Sequence, residues 1–151
     1  MRWPSGRGNV GRRKATGMEE EGGETRIDQY DPLVAPEPAA WLALDEQARM
    51  ILVEDYHVRR KIKLPNARIH ATVHAIVENQ IAEGDALPVR EKARRLIAQG
   101  LDRHDAIHAI GSVLTAHMFD LSSGKVAGTD PNRRYFSALR RLTAQKWLRS
   151  G

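Results

Sequence analysis

The sequence predicts an all-α fold, a single bundle of about five helices preceded by a disordered N-terminal tail. Three observations predict it. Beyond Pro36 apolar residues recur at three- and four-residue spacings, glycine and proline retreat to the joints between those segments, and no stretch alternates as a strand does. A chain of 151 residues with 41% hydrophobic composition builds one ordinary core, so residues 37–151 are expected to form one domain.

The first helix is expected from Pro38 to Arg60, with Trp41, Leu44, Ala48, Ile51, Leu52 and Tyr56 on its apolar stripe. Arg59, Arg60 and Lys61 then suit the negative end of a helix dipole. A second helix follows Leu64-Pro65, with Asn66 as its N-cap, and stops near Gly84; Ile69, Val73, Ile76, Val77 and Ile81 are its apolar residues. Pro88 opens a short third helix that Gly100 closes. Asp102 caps a fourth, which carries Ile107, Ile110, Val113, Leu114, Met118 and Leu121. Asp130-Pro131 starts a fifth that extends to Arg149. Short connections favour antiparallel neighbours.

Residues 1–36 are rich in glycine, proline and charge and hold few apolar side chains, so they are expected to be disordered. Arg2, Arg7, Arg12, Arg13 and Lys14 account for the whole formal excess of +5, and the remainder of the chain is neutral. Met18 opens the acidic run Glu19 to Glu21 and reads as an alternative start of translation, which would make residues 1–17 a gene-calling artefact. The rival reading is a basic arm that orders against nucleic acid. There is no cysteine, so disulfides, thiolate metal sites and cysteine nucleophiles are excluded. No apolar run is long enough to cross a membrane and no secretory signal is visible, so a cytoplasmic location without membrane association is expected.

Four of the six histidines form two copies of one spacing, His70-x-x-x-His74 on the second helix and His104-x-x-x-His108 on the fourth. Residues four apart on a helix lie one above the other, so each pair presents two imidazole nitrogens to one point. Both pairs fall at the edge of an apolar face, and Glu78 continues the first line. If the second, third and fourth helices run up, down and up, the two pairs lie at levels that agree within about 3 Å. The four histidines, with Glu78 as a fifth ligand, then make a site suited to zinc, iron, nickel or copper rather than calcium or magnesium. Asp105 and Glu83 are candidates for orienting the imidazoles. A polar structural network of the same histidines and direct acid-base chemistry are the alternatives.

The segments from His70 to Gln80 and from Asp102 to Ile110 resemble the two signature stretches of the bacterial family known as domain of unknown function 1841, over His70 to Leu114. The resemblance implies a helical bacterial protein and supplies no reaction. In that family the acidic residue of the first stretch stands beside the glutamine, where this chain has Asn79, so no role for Glu78 carries over.

Weaker signals have plainer readings. His104-Asp105 matches two letters of the histidine-aspartate centre of metal-dependent phosphohydrolases but sits at a helix start. His57 and His117 read as packing or surface residues. Arg134, Arg140 and Arg141, beside Tyr135 and Phe136, offer a surface for a nucleic acid or protein partner, the alternative function being an accessory protein whose histidines are purely structural. No phosphate-binding loop, nucleophile elbow or dinucleotide fingerprint is present, so no nucleotide or organic cofactor is indicated.

Overall fold

The structure, a computed structural model, describes residues 26–125 and 130–150. Among them are seven α-helices and one short 3-10 turn, with no strand: α1 (Pro38–Ala43), α2 (Glu46–Arg59), α3 (Ala67–Ala82), the turn Gly84–Ala86, α4 (Val89–Ala98), α5 (Arg103–Ser122), α6 (Arg133–Arg141) and α7 (Ala144–Arg149). The expected helical bundle is therefore present. The readings made for residues 1–17 lie outside the described residues.

The predicted caps at Asn66 and Asp102 hold α3 and α5, their side chains accepting the backbone N–H groups of Ile69 at 3.1 Å and Asp105 at 2.7 Å. Gly100, at φ +107°, ends α4 in a conformation that L side chains rarely adopt.

Two helices expected as continuous are broken. Leu44 is extended and Asp45 starts α2 afresh, its carboxylate accepting from Ala48 N at 2.7 Å. Arg49 closes the corner by donating to the carbonyls of Trp41, Leu42 and Leu44. The last helix breaks in the same way at Leu142, where Thr143 caps α7 and Lys92 Nζ donates to Leu142 O at 2.9 Å. It also starts later than expected, at Arg133, because Asp130 spends its carboxylate on Asn132 N in the turn before. In both breaks a capping side chain accepts from a freed N–H of the new helix, and a long cation from another turn donates to carbonyls a continuous helix would have used.

The core has two parts that share α3. Val73 and Val77 join Leu96, Ile107, Ile110, Leu139 and Trp147 on one side, while Ala71 and Ala75 join Trp41, Val53 and Tyr56 on the other. Tyr30 belongs to the second part at 2% exposure, although residues 26–36 read as tail. Arg59 and Arg103 hold this segment by donating to the carbonyls of Tyr30 and Pro32, at 3.2 and 2.9 Å.

Helices α3 and α5 are neighbours, as the histidine spacing requires, but they run in opposite senses. His70 lies beside His108, His74 beside His104, and Glu78 beside Arg103. The expected parallel arrangement is replaced by an antiparallel one, in which Arg103 at the start of α5 meets Glu78 near the end of α3 and His108, further along α5, meets His70. The α5 helix begins instead beside the C-terminal half of α3.

Candidate metal centre

Three helices bring five histidines into one buried volume. Small buried residues flank the histidines along both helices: Ala71 and Ala75 on α3, toward α1 and α2, and Ala106, Ala109 and Gly111 on α5. The ring centroids of His70 and His108 are 5.1 Å apart, those of His74 and His104 5.4 Å apart with the planes 8° from parallel, and those of His104 and His108 4.2 Å apart. An i, i+4 pair is symmetric about its own midpoint, so reversing one helix exchanges the partners without dispersing them.

The fifth ring is His57, read from the sequence as a packing or surface residue. Residues 57 and 70 stand at nearly equal distances from the middle of the α2–α3 turn, so an antiparallel hairpin sets them about level, and their Nε2 atoms are 3.0 Å apart. That symmetry was available in the sequence.

Ligand atoms of His57, His70, His74 and His108 all lie within 4.8 Å of one another, and these four buried histidines can hold a metal ion. Zinc-nitrogen bonds of 2.0–2.1 Å at tetrahedral angles imply a nitrogen separation of about 3.3 Å, so the His57–His70 pair at 3.0 Å stands near coordination spacing and the wider pairs, up to 4.8 Å, would have to close by up to about 1.5 Å. His104, expected as a ligand, packs against the rings of His57, His74 and His108 and stands outside this four-atom group.

Glu78, expected as a fifth ligand, is engaged elsewhere. Arg103 grips it with two parallel bonds, Nη1 to Oε1 at 2.7 Å and Nη2 to Oε2 at 2.9 Å, and the Tyr30 hydroxyl donates to the same Oε1. Because the single hydroxyl proton of Tyr30 goes to Glu78, the 3.0 Å contact between Tyr30 Oη and His74 Nε2 is donated by the ring. That fixes the tautomer of His74 with its lone pair on Nδ1, a buried atom with no hydrogen-bond partner among the described residues. His57 is fixed in the opposite sense. Its Nδ1 donates to Val53 O at 2.8 Å, which leaves the lone pair on Nε2, where it accepts a 3.0 Å hydrogen bond from His70 Nε2. These hydrogen bonds fix the tautomers of His57 and His74, as outer groups do around bound metals, with Tyr30 and Glu78 in the place expected for Asp105 or Glu83.

Burial holds every ring neutral. Desolvation, and for four of them the neighbouring imidazoles, lowers the histidines below their ordinary range, His70 and His104 to about 3. Neutral imidazole is the form that coordinates a cation. Comparison with protein-family models, with curated proteins and with solved structures returned no match. The reading of this site therefore stands on its geometry and chemistry.

If Tyr30 orients His74 for coordination, Tyr30→Phe is expected to weaken metal affinity about 10- to 100-fold, the usual cost of losing such an outer partner. Competition with a chromophoric chelator measures this, and an affinity equal to that of the wild-type protein would refute the assignment.

Proposed function

We propose that the protein binds one transition-metal ion, zinc, iron, nickel or copper, through His57, His70, His74 and His108, and that the ion ties α2, α3 and α5 together. The observation that carries the reading is the convergence of four buried, neutral imidazoles from three helices within 4.8 Å. A purely structural role explains it less well. Burying a polar nitrogen without a partner costs about 1–3 kcal/mol, and both His74 Nδ1 and His104 Nε2 are in that state among the described residues. A metal bond to Nδ1 would remove the penalty at His74.

The ligand set also limits the metal. Four neutral nitrogens with no carboxylate or thiolate disfavour calcium and magnesium, and among divalent ions the affinity order runs iron, nickel, copper, with zinc below copper. Glu78 leaves the positive charge of the ion uncompensated, because Arg103 already neutralises it. Four protein ligands in a closed, buried arrangement correspond to a structural site.

Metal analysis of protein prepared without a histidine tag, stripped with chelator and then reloaded with zinc or copper, tests the proposal. About one equivalent is expected for the wild type, and a several-fold loss for His74→Gln, whose helical circular dichroism must match the wild type for the comparison to count. Equal, negligible loading of both proteins would end the reading.

A further inference from the structure

Away from the histidines, α5 and α6 enclose an open groove of about 630 Å³, within the range of small-molecule sites. Arg133, Arg134 and Arg141 line it, and among the described residues none of the three is paired with a carboxylate. Ser112, Ser137 and Asp120 are also on its walls. Three guanidinium groups against one carboxylate leave a formal charge of +2, the complement of a phosphate monoester dianion. Guanidinium forks also match phosphate oxygens in geometry as well as charge.

The groove is built rather than a loose arginine patch. His117 lines it at 7% exposure, stacks on Tyr135 at 5.4 Å, and keeps a buried Nε2 with no hydrogen-bond partner among the described residues. The Tyr135 ring is fixed in turn by its hydroxyl, which donates to Gln80 Oε1 at 2.6 Å. Arg134 is anchored through one donor, Nη1 to Lys125 O at 3.0 Å, and Arg141 through another, Nη1 to Ser137 Oγ at 3.1 Å. A guanidinium carries five N–H donors, so each keeps others for an anion. Asp120 is the groove's only carboxylate among the described residues and accepts hydrogen bonds, which suits a hydroxyl or amine on the non-phosphate part of a ligand.

From these observations we infer that the α5–α6 groove is a binding site for a small phosphorylated molecule carrying hydroxyl groups, with Arg133, Arg134 and Arg141 on the phosphate and Asp120 on the hydroxyl-bearing end. The site is independent of the histidine cluster. Arg140, grouped with Arg134 and Arg141 in the sequence, lines a different cavity together with Lys92 and Arg95, so the basic C-terminal segment does not present one continuous face.

Calorimetric titration at about 150 mM salt, where diffuse surface attraction is screened, tests the inference with ribose 5-phosphate, unphosphorylated ribose and inorganic phosphate. Ribose 5-phosphate is expected to bind saturably at one site and ribose to give no heat, with inorganic phosphate weaker than the sugar phosphate. Arg134→Gln with Arg141→Gln should weaken binding by about tenfold or more, while Arg95→Gln with Arg140→Gln, an equal loss of charge outside the groove, should change it less than about twofold. An equal effect of the two double variants, or no saturable binding up to about 10 mM, overturns the inference. So does a single-stranded RNA that binds through Arg134 and Arg141 when the sugar phosphate does not, since the occupant is then a nucleic acid.

Discussion

In the presence of chelator, the protein is expected to lose on the order of 4 kcal/mol of stability between pH 7 and pH 5. The unfolded chain takes up a proton on each histidine as the pH falls below about 6.5, while the folded protein holds His70 and His104 neutral down to about 3. With more protons bound in the unfolded state, stability rises with pH across that window and falls on acidification. At pH 5 each of these two histidines contributes about 2 kcal/mol of destabilisation. His57, His74 and His108 are shifted in the same direction for the same reason, burial, and add to the loss. Domains of this size are stable by about 5–15 kcal/mol, so the metal-free protein should unfold or come close to it near pH 5. Urea denaturation at pH 7 and pH 5 measures the difference, and equal midpoints would show that the rings are solvated. Bound metal should move the acid transition to lower pH, because the ion and the proton compete for the same lone pairs.

Why these histidines were legible, and others not, follows from the range of each signal. The two i, i+4 pairs are local, since a helix places such residues together whatever the rest of the chain does, and His70, His74, His104 and His108 are all buried in the structure. The relative direction of α3 and α5 is not local. It depends on how α4 packs against both helices, and the two orientations give the same histidine spacing. His57 stands alone in its helix, so the only sequence signal for its place is its near-symmetry with His70 about the α2–α3 turn, which counts only if the two helices pair as a hairpin. Tyr30 was hidden by composition. The glycine, proline and charge of the N-terminal region mask Tyr30, which packs at 2% exposure and reaches His74 and Glu78. Glu78 was placed correctly on the line of histidines, but its role turns on Arg103, a residue of another helix that reads in the sequence only as the first residue after a cap.

Replacing Arg103 by glutamine is expected to destabilise the protein by about 3–5 kcal/mol at neutral pH, the cost of removing one partner from a buried ion pair. Glu78 is 1% exposed and both of its oxygens are held by Arg103. Without the guanidinium the carboxylate must stay charged without its cation or take up a proton, and either choice disfavours the folded state. The same change frees the carbonyl of Pro32, which Arg103 Nη1 also holds, so the segment that carries Tyr30 into the core loses one of its two arginine anchors. A fall in Tm of roughly 10–25 °C corresponds to that free energy in a domain of this length. The double variant Arg103→Gln with Glu78→Gln separates charge from hydrogen bonding. A glutamine at position 78 still accepts from Tyr30 and carries no charge, so the second substitution should recover much of the loss caused by the first. Its coupling energy is expected to exceed about 1 kcal/mol, well above the additivity error for independent sites. Melting the two single variants and the double variant in chelator at neutral pH completes the cycle. Additive effects would mean that Glu78 and Arg103 act separately, and the arrangement in which Arg103 holds Glu78, Glu78 holds Tyr30 and Tyr30 orients His74 would lose its first link.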